Sequence, residues 1–80
     1  MYNHKQIELS HMLFNSLKEK FPEICLDSIG PNPENQEEIW VHITYPKDED
    51  KLIELYDMSG ELSTDILLDY GYSILTASAN

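Results

Sequence analysis

The residues best suited to hold a metal ion lie near the N-terminus. His4, Glu8 and His11 follow one another at intervals of four and three residues, so a helix would project all three from one stripe. Imidazole and carboxylate groups are common ligands for divalent cations. Polar residues recur in the same way on the solvent side of any amphipathic helix, and we favour that interpretation. Metal binding through these three residues is the alternative.

The other candidates for chemistry form no catalytic motif. Cys25, the single cysteine, lies in an apolar stretch without a basic neighbour, so we expect a buried, unreactive thiol. No serine lies in a nucleophile elbow, and the glycines are too far apart for a phosphate loop. Glu34, Glu37 and Glu38 lack the spacing of a calcium loop. The sequence therefore predicts no catalytic residue, no cofactor and a protein that is not an enzyme.

One predicted strand has an unusual solvent side. Residues 38–46 read EIWVHITYP, in which apolar side chains alternate with Trp40, His42 and Thr44, as in a strand with one buried face. Either the indole packs over the chain's own 30–38 loop or over a helix end, or these three residues form an interaction surface, because tryptophan is enriched at binding hot spots. We favour the interaction surface.

Charge and composition exclude two classes of partner. Fifteen acidic residues against five lysines and no arginine give a formal net charge of −10, which argues against binding nucleic acid. No apolar run is long enough to cross a bilayer, and the N-terminus does not resemble a signal peptide. We therefore expect a cytoplasmic protein that binds neither nucleic acid nor membranes.

Periodicity and breaker residues predict five elements. Helices are expected at residues 3–20 and 48–70, and strands at 24–29, 39–45 and 72–77. Residues 30–38 are predicted to be a flexible loop, because GPNPENQEE is rich in breakers. Residues 78–80 are predicted to be a frayed tail.

The order of these elements predicts one α+β domain that spans residues 1–80. The fold has α-β-β-α-β order, with a three-stranded mixed sheet and two helices packed on one face, since a β-α-β crossover places its two strands in parallel. The second helix is expected to be continuous, although Gly60 lies at its middle and could mark a bend or a close approach to a neighbour. Its apolar stripe includes Leu55, Tyr56, Ile66 and Leu67.

The arrangement from ICLDSIG through EEIWVHITYP to YSILTAS resembles the layout of small nucleotidyltransferase-fold proteins, and the similarity covers residues 24–77. The resemblance implies a strand ending in Gly-Ser and a second strand with Asp-x-Asp. Here Gly30 is followed by Pro31, and Trp40 and His42 lie where metal-binding carboxylates would stand, so it implies a non-catalytic relative. The segment LSTDILLDYGY is also similar to short bacterial proteins without an assigned function.

These observations lead to one principal hypothesis. The chain is predicted to be a small acidic protein-interaction or regulatory module that acts through the surface around Trp40, His42 and Thr44. Its partner would be another protein or a second copy of the chain. A homodimer is attractive because an 80-residue domain buries a small core. The non-catalytic nucleotidyltransferase relative and the metal-binding protein are the alternatives.

Overall fold

The structure, a computed structural model, describes residues 3–79. Its elements have the predicted α-β-β-α-β order, and the α+β prediction is confirmed. The two helices and three strands are α1 His4–Lys20, β1 Leu26–Asn32, β2 Asn35–Ile43, α2 Glu49–Tyr70 and β3 Ser73–Ser78.

Local hydrogen bonds fix the ends of α1. The Asn3 side chain accepts a hydrogen bond from the Gln6 N–H at 2.9 Å, and the Gln6 side chain accepts one from the Asn3 N–H at 2.7 Å. This reciprocal capping box satisfies donors that a helix start otherwise leaves unpaired. At the other end, Lys18 Nζ donates to the Pro22 carbonyl at 2.7 Å, where a cation is favoured by the helix dipole.

The prediction of a long loop at residues 30–38 is wrong. β1 and β2 form an antiparallel hairpin whose turn is residues 33–34. Two side-chain amides support the turn: Asn32 Oδ1 accepts from the Glu34 N–H at 2.9 Å, and Asn35 Oδ1 accepts from the Glu37 N–H at 3.1 Å. Such bonds from a side chain to the backbone two residues later imitate a backbone turn. They stabilise the tight turn, and residues 30–38 therefore continue both strands although the segment is polar and contains glycine and prolines.

The sheet is mixed and has the order β1-β2-β3, with β3 parallel to β2. Alternate residues of β2 face the helices and are fully buried: Ile39, Val41 and Ile43. They pack with side chains from both helices, including Leu9, Leu13, Leu17, Leu55 and Ile66, and with Ile74 of β3. The helices therefore cover one face of the sheet, as predicted.

The predicted tail partly belongs to the sheet. Ser78 is the last residue of β3, and the Ala79 N–H donates to the Ile43 carbonyl at 2.9 Å. The prediction of fraying at 78–80 is therefore wrong for these two residues, because backbone hydrogen bonds continue the parallel pairing. Asn80 lies outside the described residues.

α2 is a single helix, as predicted. Asp48 caps its start by accepting from the Lys51 N–H at 3.1 Å, and Gly71 ends it in the left-handed conformation with φ 78°. The interpretation of Gly60 as a close approach to a neighbouring element is wrong within this chain. A Cβ at Gly60 would meet no atom within 4 Å, so this helical glycine costs about 1 kcal/mol relative to alanine without an internal packing reason.

Part of the predicted apolar stripe on α2 is exposed. Leu55 and Ile66 are buried as expected, whereas Tyr56 and Leu67 retain 50% and 48% of their exposure. The stripe is wider than the face that α1 and the sheet cover. Neither helix in residues 3–79 has the length and apolarity needed to cross a membrane.

Candidate interaction surface

The uncovered face of the sheet is built from side chains in register across three strands. In one row Gly30 of β1 lies opposite Trp40 of β2, which lies opposite Leu75 of β3. In the next row His42 of β2 lies opposite Ala77 of β3. We call these five residues the outer face. Ile74 points into the core, and Leu75 and Ala77 of β3 therefore point outward. The alternation in the sequence did not decide which face of this strand is buried.

A carboxylate fixes the indole on the outer face. Trp40 Nε1 donates to Glu38 Oε1 at 2.8 Å, and Asn32 Nδ2 donates to the same oxygen at 3.0 Å. Ser73 Oγ donates to Glu38 Oε2 at 3.3 Å. Glu38 thus joins all three strands at one end of the outer face. Hydrogen bonds to a charged acceptor are stronger than those between neutral groups, so they hold the indole in one orientation.

The indole is bordered by an aromatic neighbour on one side and open space on another. The Trp40 and His42 rings meet edge to face, with centroids 6.0 Å apart and planes at 71°. Both residues are half-buried, and Leu75 retains 38% exposure. A Cβ at Gly30 would meet no atom within 4 Å. A partner side chain therefore has room beside the indole, directly over the β1 backbone.

Thr44 lies near the outer face but serves mainly to join strands. Its Oγ1 accepts from the Cys25 N–H at 2.9 Å, and its own N–H donates to the Cys25 carbonyl at 3.0 Å. These two bonds extend the pairing of β1 and β2 beyond Ile43. The hydroxyl oxygen thus already accepts a hydrogen bond, and Thr44 helps to fix the position of the sheet end.

The exposure of Cys25 differs from the prediction. The thiol was expected to be buried in an apolar strand, but Cys25 is exposed and lies before β1 begins. Ile24 is the fully buried residue of this segment. The prediction was wrong because alternation along an extended chain places neighbouring side chains on opposite sides.

The histidine stripe on α1 has no metal-site geometry. His4, Glu8 and His11 are all exposed, and Lys5 Nζ lies 2.9 Å from Glu8 Oε2. The hydrogen bond and charge of Lys5 lower the pKa of the Glu8 carboxyl, while those of Glu8 raise the pKa of the Lys5 ammonium. Within residues 3–79 no group of three potential ligands is close enough to hold an ion.

Comparison of the chain with protein-family models, curated proteins and solved structures gives no match. The resemblance to nucleotidyltransferase-fold proteins and to short bacterial proteins therefore stays a prediction.

Sequence reasoning missed the polar support of the tryptophan. Asn32 and Glu38 lie in the predicted loop 30–38 and Ser73 in the predicted strand 72–77, so the prediction gives none of them a role at the indole. A usable signal was present, because Glu38 precedes Trp40 by two residues and so shares its side of an extended strand. The predicted loop 30–38 excludes Glu38 from the strand of Trp40, and so the sequence analysis does not place the two side chains together.

Proposed function

We propose that this chain is a small, non-enzymatic interaction module that binds a protein partner through its outer face. The observation that carries the proposal is the Trp40 indole, which Glu38 holds in one orientation beside the open space over Gly30. A preoriented aromatic anchor loses little freedom on binding. Buried tryptophan is among the residues that contribute most to interface affinity.

The charge of the chain suggests the chemistry of the partner. A net charge of −10 favours a basic protein, since complementary charge accelerates association and suppresses wrong partners. An apolar side chain of that protein would lie over Gly30 against the indole, with lysines or arginines facing the acidic surroundings. The proposal assigns no catalytic residue or cofactor, and it places the protein in the cytoplasm.

Affinity purification from the source cells, followed by binding measurements with the purified partner, tests the proposal. We expect a basic protein whose affinity falls at least tenfold with Trp40→Ala and with Gly30→Gln, which fills the open space without adding charge. Leu68→Ala is the matched control, because Leu68 is a highly exposed apolar residue on α2. Equal affinity for all four proteins would refute binding at the outer face.

A further inference from the structure

A groove runs between α1 and α2 on the side of the molecule opposite the outer face. Apolar side chains of both helices line it: Met12, Leu13, Leu62, Ile66 and Tyr70. We call the surface that these five residues form the helix groove. Its volume is 270 Å³, which is smaller than the pockets that hold drug-sized ligands. The helix groove therefore has room for the side chains of a larger partner rather than for a small molecule.

The two helices run antiparallel along the helix groove. At one end, Lys5 Nζ of α1 lies 4.8 Å from the centroid of the Tyr70 ring of α2. Further along, Ser16 of α1 and Leu62 of α2 line the same groove. The rise from Leu62 to Tyr70 makes the groove about 12 Å long. This length corresponds to about two turns of a helix laid along it.

The helix groove presents apolar surface to solvent. Leu13 and Ile66 form its floor and belong to the core, where they are 1% and 3% exposed. Met12 and Tyr70 flank this floor and remain 44% and 45% exposed. A methionine side chain is unbranched and flexible, so it adapts its shape to the group that packs on it. The groove thus suits apolar side chains of a partner.

Carboxylates lie beside this apolar surface on both helices. Asp65 and Asp69 line the groove on α2, and Glu19 lies on the side of α1 that also presents Met12. The three acidic residues are exposed, and none of them belongs to the one ion pair formed within residues 3–79. A partner in the groove therefore meets uncompensated negative charge from both helices.

The C-terminal end of α2 adds to the negative charge. Its last turn has Asp69 and no basic residue. The nearby Lys5 contacts the Tyr70 ring, but its ammonium group is paired with Glu8 at 2.9 Å. The carbonyl end of a helix carries a partial negative charge and is stabilised by a cation. This end of the groove should therefore favour a lysine or arginine of the partner.

Backbone hydrogen bonding favours a helix as the occupant. A strand laid in the helix groove would turn backbone N–H and C=O groups towards apolar side chains, where unpaired polar groups are costly. A helix pairs these groups internally and presents only side chains. Apolar residues spaced three and four apart would then pack in the groove. Lysines and arginines on either side of them would lie next to the carboxylates of α1 and α2.

We propose that the helix groove binds a basic amphipathic helix of another protein, which packs as a third helix beside α1 and α2. The apolar side of that helix contacts Met12 and Tyr70, and its cations face Asp65, Asp69 and Glu19. A second copy of this chain, whose net charge is −10, would be repelled by the same carboxylates. The site goes beyond the proposed function, because it leaves the outer face free.

Binding of synthetic helical peptides, measured by titration calorimetry, tests this proposal. The probe is a peptide of leucine and lysine in which the leucines follow at intervals of three and four residues. One control peptide has the same composition in scrambled order, and another has glutamate in place of lysine. We expect the probe to bind at least tenfold more tightly than either control. Equal affinity for the probe and the scrambled peptide would overturn the proposal.

Two variants with the same change of charge separate the helix groove from general acidity. Asp65→Asn combined with Asp69→Asn should weaken binding of the probe at least fivefold. Asp50→Asn combined with Asp57→Asn is the matched control, because both residues are exposed on α2 and neither lines the groove. This control should change the affinity less than twofold. Equal losses in the two variants would mean that net charge alone attracts the probe.

The apolar contact is tested by Met12→Gln, which should also weaken binding at least fivefold. Leu68→Gln makes the same change of polarity at a side chain that is 77% exposed and lies outside the groove, so it should have little effect. The proposal fails if both variants bind like the wild type.

Amide chemical shifts of the full chain locate the bound peptide. The probe should shift amides at the middle of α1 and in the second half of α2. Trp40→Ala should leave its affinity within twofold, so this test is independent of the partner proposed for the outer face. Shifts confined to the outer face, or no shifts at millimolar probe, would overturn the helix groove as the site. Shifts of the groove amides that follow the concentration of the chain alone would identify a second copy as the occupant instead.

Discussion

At the scale of single residues, the decisive feature is the way Glu38 connects the three strands around one indole. Its carboxylate accepts from Trp40 and Asn32 through one oxygen and from Ser73 through the other. An indole on a bare sheet face would otherwise be free to change rotamer. The same three bonds therefore stabilise the sheet and keep the proposed contact residue preoriented.

Removal of this carboxylate should loosen the tryptophan and the sheet together. Glu38→Ala leaves three donors without their acceptor, and we expect the free energy of unfolding to fall by about 1.5 kcal/mol. Because the chain has one tryptophan, its fluorescence reports this site alone, and emission should shift to longer wavelength as water reaches the indole. Chemical denaturation and emission spectra measure both effects.

Glu37→Ala is the matched control for that experiment, because it removes the same charge from the neighbouring position. The Glu37 side chain is exposed, and Glu37 donates to Asn35 Oδ1 through its backbone N–H. Its stability and emission should stay near those of the wild type. Equal losses in the two variants would show that charge, rather than the bonds to Glu38, sets the effect.

At the scale of elements, the helices were predictable and the hairpin was not. Both helices match their predicted ranges to within one residue at each end, since signals such as the caps Asn3, Asp48 and Gly71 lie within a few residues of the elements they bound. The two predicted hairpin strands stop short of the turn, because Gly30 and Pro31 indicate a loop, whereas β1 extends to Asn32 and β2 begins at Asn35. Proline is tolerated in β1 because an edge strand has backbone groups that need no partner, and edge position is a property of the whole sheet.

The candidate site was predictable in outline only. Alternation along β2 identified Trp40 and His42 as outward-facing, and the structure places them on the bare face. Their neighbours Gly30 and Leu75 come from other strands, and the pairing that aligns them depends on register. Register follows from the complete hairpin and crossover. It cannot be deduced from the pattern of one strand.

Substitution by alanine should have opposite effects on the free energy of unfolding at two of the glycines. Gly71→Ala should lower the free energy of unfolding by about 1 kcal/mol, because φ 78° is a left-handed conformation that disfavours a Cβ. Gly30→Ala should raise it by about 0.5 kcal/mol, since alanine in a strand loses less conformational freedom than glycine. Neither Cβ would meet another atom within 4 Å, so new packing contacts should not contribute to either change in stability.

Urea denaturation of the two variants at one protein concentration measures this difference. A loss of stability in Gly30→Ala would mean that the β1 backbone at this position is strained or covered. An unchanged Gly71→Ala would mean that the end of α2 relaxes to another conformation without cost.

At the scale of the whole molecule, charge opposes the compact state. The chain has a net charge of −10, and Lys5 with Glu8 forms the one ion pair within residues 3–79. That pair is exposed, so its contribution is small. Most carboxylates thus repel one another without a compensating cation.

Salt should therefore stabilise the folded chain. Screening shortens the range of charge repulsion to about 10 Å at 0.1 M ionic strength, and we expect Tm to rise by about 5 °C between low salt and about 0.3 M sodium chloride. The measurement is repeated at two protein concentrations, so that any effect of self-association on Tm is separated from the effect of salt. Removal of three exposed carboxylates from α2, by Glu54→Gln, Asp57→Asn and Glu61→Gln, should raise Tm at low salt and reduce its dependence on salt. A Tm that falls with salt, or an unchanged slope in the triple variant, would show that attractive charge pairs outweigh the repulsion inferred from the structure.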